Sequence, residues 1–180
     1  MGISITAIAA AALLAGVASA IDTTEAIVEE TVAWGLAQQL MDEVAGVPYA
    51  EAGQGPYQAT LGLEGTEGGG KGRERYDDLD DFAAVKSQPP RDLWGIDLGK
   101  DDGAGGVRNL AFAASPTCFS GFREQIDVFY LNPTNLALRL PQGRTSDYRA
   151  VEVRILSNDP GGKSRPLVEV KRVFAYVPAP

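Results

Sequence analysis

The chain reads as an α+β protein in which one long N-terminal helix packs against a three- to four-stranded antiparallel sheet. Three observations predict this class. Residues 3–46 keep helical spacing with no Gly-Pro cluster or turn chemistry to interrupt them. The later half holds three segments rich in Val, Ile, Phe and Tyr, separated by Asn-Pro, Gln-Gly and Asn-Asp-Pro-Gly-Gly turns. Between helix and strands, Glu51 to Gly106 is rich in glycine, proline and charge, with Gly68-Gly69-Gly70, Pro89-Pro90 and Gly103-Ala104-Gly105-Gly106 as breakers, so long irregular loops are expected there.

The helix has two registers. Ile3 to Ile21 carries no charge, and a helix of that length spans roughly 28 Å, close to the hydrocarbon thickness of a bilayer. Small residues recur at four-residue intervals, Ala12, Gly16 and Ala20 on one line and Ala11, Ala15 and Ser19 beside it. Such lines let helix backbones approach closely, although alanine-rich helix chemistry alone also produces them. A cleaved secretory signal is the competing reading, since Ala18-Ser19-Ala20 has the small-x-small form of a cleavage site while Met1 to Ser4 lacks the usual positive start.

From Asp22 to Gly46 the helix becomes amphipathic. Val28, Val32, Leu36, Leu40 and Val44 form an i+4 line flanked by Ala33, Ala37 and Met41, whereas Glu25, Glu29, Glu30, Gln38, Asp42 and Glu43 occupy much of the remaining surface. Asp22-Thr23-Thr24-Glu25 also has the composition of a fresh N-cap, the natural start of a mature chain after cleavage. Gly46 and Pro48 close the helix in either case. Trp34 lies too far beyond Ile21 for a lipid interface and is expected to pack under the head. The domain plan is therefore an apolar half-helix over 1–21 and a head over 22–180 that includes the amphipathic half-helix 22–46.

The strands are expected at 125–132, 148–156 and 166–177, with 57–63 as a further short one. Ile126, Val128 and Tyr130 share a face, as do Val151, Val153 and Ile155, which Glu152 and Arg154 oppose. A change of phase after Lys171-Arg172, from Val168 and Val170 to Val173, Ala175 and Val177, predicts a bulge. The apolar side of this sheet needs a cover, and the stripe from Val28 to Val44 is the long amphipathic helix that can provide it.

Composition excludes several functions. A net charge of -8, with no Lys or Arg before Lys71, argues against nucleic acid as a partner. The chain has no histidine and one cysteine, Cys118, so the common metal ligands, the common general base and an intrachain disulfide are missing together. Cys118 reads as a buried or unpaired thiol. Asp77, Asp78, Asp80 and Asp81, with Glu74 nearby, lack the Asp-x-Asp-x-Asp-Gly spacing of a calcium loop and read as a solvated turn or helix cap. Gly68 to Gly72 lacks the phosphate-loop pattern and reads as a flexible loop. No catalytic, cofactor-binding or metal-binding residue is assigned, no cofactor is expected, and the chain is expected not to be an enzyme.

Three stretches carry a resemblance. Ser4-Ile5-Thr6 heads the apolar run, and Thr31-Val32-Ala33-Trp34-Gly35-Leu36-Ala37-Gln38-Gln39-Leu40-Met41-Asp42-Glu43 looks like the part of a pilin helix that enters the globular head. Tyr76-Asp77-Asp78-Leu79-Asp80-Asp81-Phe82 is similar to an acidic-aromatic segment of minor pilins. The chain thus resembles the type IV pilin and type II secretion pseudopilin superfamily, more narrowly minor pilins of mannose-sensitive haemagglutinin pili and of type IV pilus assembly.

The resemblance implies a non-enzymatic filament subunit, single-pass in the cytoplasmic membrane with its head in the periplasm, or assembled in an extracellular filament. Its partners would be other pilin or pseudopilin subunits through the N-terminal helix, and membrane lipid before assembly. Prepilins of that superfamily carry a basic leader and a Gly-Phe-Thr-Leu-x-Glu box, which Met1-Gly2-Ile3-Ser4 does not match; codons upstream of Met1 are expected to encode both. The alternative is a periplasmic or extracellular binding domain released after Ala20.

Overall fold

The computed structural model describes residues 2–115, 118–158 and 163–178. Helix α1 runs unbroken from Gly2 to Ala45, 44 residues or about 66 Å of rod. Asp22 to Glu25 does not start a new helix. Thr23 and Thr24 turn their hydroxyls back to donate to the carbonyls of Ser19 and Ala20, each at 2.8 Å, and Thr31 does the same to Ile27 at 2.7 Å. A hydroxyl bonded one turn behind cannot cap the turn ahead, so the helix passes through this segment.

Five antiparallel strands follow: β1 (Lys86–Ser87), β2 (Phe122–Asn132), β3 (Asn135–Arg139), β4 (Tyr148–Asn158) and β5 (Ser164–Ala175). The order is β1-β2-β4-β5, with β3 folded back on β2 as a hairpin. The three long strands are the expected ones, with ends shifted by a few residues. The Asn-Asp-Pro-Gly-Gly turn between β4 and β5 lies, beyond Asn158, outside the described residues. The expected strand over 57–63 is not formed: this segment is a run of bends, and Gly62 at φ +136° is incompatible with an extended continuation. The bulge is also displaced. Ile155 pairs with Val168 and Leu156 with Pro166, which leaves Leu167 as the extra residue. Beyond it the register is regular, so Phe174 and not Val173 continues the phase of Val168 and Val170.

One face of the sheet holds the core. Ile126 pairs with Val153 and Val128 with Val151, and both pairs are buried with Ile155 and Val168 against Ala33, Leu36, Ala37, Leu40, Met41 and Val44 of α1. The cover is shared: α1 lies over β5 and β4, while the turn Asp81–Ala84 lies over β2 and brings Leu79, Phe82 and Val85 into the same core. The helical stripe starts later than its sequence pattern. Val28 is 57 % exposed, and the first buried residue beyond it is Ala33. Trp34 is half exposed and does not pack under the head as expected. The opposite face of the sheet is polar, with Asp127 bound to Arg139 at 2.8 Å, apart from a small cluster of Phe129, Leu131 and Ala150.

The loop 68–72 is pinned where flexibility was expected. Arg73 N–H donates to the Leu93 carbonyl at 2.7 Å, bringing backbone against backbone at Gly72 and Gly95. A Cβ on Gly72 would stand 2.2 Å from Gly95 N and 2.4 Å from the Leu93 carbonyl oxygen. Gly72→Ala therefore forces two backbones apart and is expected to cost about 2–3 kcal/mol in urea unfolding. Gly55→Ala, where a Cβ meets nothing within 4 Å, serves as the control.

Candidate functional site

Among the described residues, a long stretch of α1 has no partner in the molecule. Residues 11–28 are exposed throughout, and Leu13, Leu14, Val17 and Ile21 present their side chains outward. The helix is long and apolar enough to cross a membrane. The back-bonded Thr23 and Thr24 satisfy their hydroxyls without water, as apolar surroundings require. Ala12, Gly16 and Ala20 line one side of the rod, and a Cβ on Gly16 meets nothing within 4 Å. The rod joins the head at Glu29, whose carboxylate pairs with Arg165 of β5 at 2.8 Å.

Below that junction a buried arginine ties the helix to the head. Arg73 donates from Nε and Nη2 to the Glu43 carboxylate at 2.8 and 3.1 Å, and from Nη1 to Glu124 of β2 at 3.3 Å. Glu124 is buried and also accepts from Ser87 Oγ and from Arg91 N–H at 3.3 Å. Burial pushes the Glu124 carboxyl up, while Ser87 and Arg73 pull it down. Helix, loop, β1 and β2 thus meet at one charge cluster.

A second cluster centres on Arg149, which is 0 % exposed. Its Nη1 donates to Asp80 Oδ1 at 2.8 Å and to the Tyr49 carbonyl at 2.7 Å; its Nη2 donates to Gln58 Oε1 and Tyr130 Oη, each at 2.9 Å, and to the Pro56 carbonyl at 3.2 Å. The rings of Tyr49 and Tyr130 lie 4.6 and 5.1 Å from the guanidinium carbon. Burial pushes the Asp80 carboxyl up and Arg149 pulls it down.

The acidic segment is therefore not a solvated turn. Asp78, Asp80 and Asp81 are fully buried, and Asp77 alone of the four is exposed. Asp78 accepts from Glu51 N–H at 2.9 Å and Asp80 N–H at 2.8 Å, fastening the loop after α1 to this turn. Asp81 Oδ2 accepts from the N–H groups of Asp77 and Asp78 at 2.9 and 3.3 Å. Burial, reinforced by the neighbouring Glu67 carboxyl, pushes Asp81 up to about 7. These carboxylates organise the chain by accepting from backbone, which their sequence spacing does not reveal.

Cys118 is free and exposed, and no histidine exists in the chain to activate it. Sequence reasoning missed Arg73 and Arg149. The signal for Arg149 is present, because it shares the apolar phase of Val151, Val153 and Ile155, and Glu124 likewise shares that of Ile126 and Val128. A charge on the greasy phase of a strand is a buried charge that needs a partner. Also missed is an apolar patch on the long loop, where Leu110 and Phe112 are 88 and 75 % exposed and Val107 stands nearby in the chain. Asn109 caps this turn through Ala111 N–H at 3.0 Å.

No family model, curated protein or solved structure matches this chain. A long apolar N-terminal helix leading into an antiparallel sheet is compatible with a pilin-like fold.

Proposed function

We propose that the chain is a non-enzymatic structural subunit, a minor pilin or pseudopilin, of a type IV pilus or type II secretion-like filament. The carrying observation is the division of one continuous helix: exposed and apolar over residues 11–21, then buried on the sheet from Ala33 to Val44. The first part is a tether in lipid and a packing surface for sister helices. The second is the spine of the head. Exposed Leu110 and Phe112 supply apolar contact area for neighbouring heads.

Gly16→Leu tests the helix-packing role without touching the head, because the space around Gly16 is open. The variant is expected to keep the head's melting temperature and to lose about tenfold in recovery as assembled filament, the effect of about 1–2 kcal/mol in helix association. Unchanged assembly would sink the proposal.

The exposure of residues 11–28 also favours a second reading, release of the head by cleavage after Ala20, since that cut removes nothing from the core. N-terminal sequencing of protein recovered from cells separates the two. A mature start at Ile21 means release, and an intact apolar helix means anchoring.

A further inference from the structure

We propose that the carboxylates of Glu64, Glu67 and Asp81 form a calcium site in the head. Their oxygens, one from each residue, lie within 4.8 Å of one another. Three oxygens that close lie no further than about 2.8 Å from a common centre, so an inward movement of a few tenths of an ångström brings all three to the 2.3–2.6 Å of calcium ligands. Asp81 is fully buried, and while its Oδ2 takes two backbone N–H groups, its Oδ1 has no hydrogen-bond donor. A buried carboxylate oxygen with no donor, beside two further carboxylates, calls for a positive charge.

The surroundings supply no such charge from protein. Among the described residues, none of Glu51, Glu64, Glu67, Asp77 and Asp81 enters an ion pair. The charged groups around Glu64 are Asp78, Glu67, Glu51 and Asp77, all of its own sign. Glu51 and Asp77 also come within 4.8 Å of Glu67, so Glu67 stands between two carboxylate pairs. An ion at Asp81 relieves both.

The donor set selects the metal. Oxygen ligands on loops, without histidine or thiolate, suit a hard cation of flexible coordination, and water completes the six to eight ligands calcium takes. Magnesium demands a tighter octahedron and keeps its waters, so it binds more weakly here. The ion would join Glu64 and Glu67 of the first head loop to the turn that covers β2, fastening that loop to the core's lid.

The full chain in detergent micelles, stripped with a chelator, provides the test. Calorimetric titration with calcium chloride is expected to show one saturable site, and melting in calcium at a hundredfold excess over Kd is expected to rise by about 5–10 °C. Magnesium should give a much smaller rise. Glu64→Gln, at the half-buried edge of the cluster, should keep the fold and weaken calcium binding at least tenfold. Asp81→Asn places an N–H donor within the cluster, so it should raise the melting temperature in chelator and abolish the further rise with calcium. The proposal is overturned if the wild-type chain takes up no calcium at millimolar concentration, including the case in which Asp81→Asn alone is stabilising. It is overturned equally if calcium binds but both variants bind it as tightly as the wild type.

Discussion

Leu36→Asp is expected to abolish the cooperative unfolding transition of the head. Leu36 is buried between α1 and the sheet, among Ala33, Leu40, Val151, Val153 and Ile155 of the same core. Losing its apolar burial costs about 2–5 kcal/mol. Forcing a carboxylate into that position adds several more, because nothing in the cluster can pair with it. The sum matches the roughly 5–15 kcal/mol on which a whole domain of this size rests. Val28→Asp sits on the same i+4 line, two helical steps of four residues earlier, yet Val28 is exposed and its substitution should change stability by less than about 0.5 kcal/mol. Urea unfolding of both variants, followed by near-ultraviolet circular dichroism, checks the contrast. A normal transition in Leu36→Asp would show that helix and sheet do not share a core.

Arg149→Leu carries the second large effect. The substitution strands Asp80 as a buried carboxylate without its cation and removes the Arg149 donor from the Tyr49 carbonyl, while the Pro56 carbonyl keeps the Tyr130 hydroxyl as a donor at 3.0 Å. Breaking a buried pair from one side costs about 3–5 kcal/mol. The double variant Asp80→Asn, Arg149→Leu removes the stranded charge and should recover a measurable part of that loss, since residues in one network do not add. Equal losses in the single and double variants would assign the effect to packing around the Tyr49 and Tyr130 rings and not to charge.

These two sites show how far the sequence can be read. The helix is legible because its apolar periodicity is local; β4 and the first part of β2 are legible from alternation, which helices and loops rarely produce, and β5 from its Val and Phe content between turn signals. The point at which the stripe becomes buried is not local. Val28 and Val32 look alike in sequence, and only the position of the Arg165 end of β5 decides which of them meets the head. β3 is not legible because Leu136 and Leu138 are exposed on a short hairpin arm, and β1 because two residues carry no pattern.

The acidic segment misleads for a physical reason. Four aspartates in five residues look solvated until the donors that meet them are known, and those donors are distant or anonymous in sequence: the guanidinium of Arg149 and backbone N–H groups of Glu51 and Gly62. Glycine-rich composition suggests mobility at 68–72 for a similar reason. There, the absence of a side chain at Gly72 permits contact with Gly95, and glycine marks a tight fit.

The uninterrupted passage of α1 through Asp22 to Thr24 fixes a distance. A bilayer that takes up Ile3 to Ile21 leaves the first core residue, Ala33, about 18 Å further along the axis, whereas the headgroup layer is only about 5–8 Å deep on each side. The helix is then a stiff strut that holds the head clear of the lipid surface, and a rotation of the embedded part about its axis turns the whole head with it.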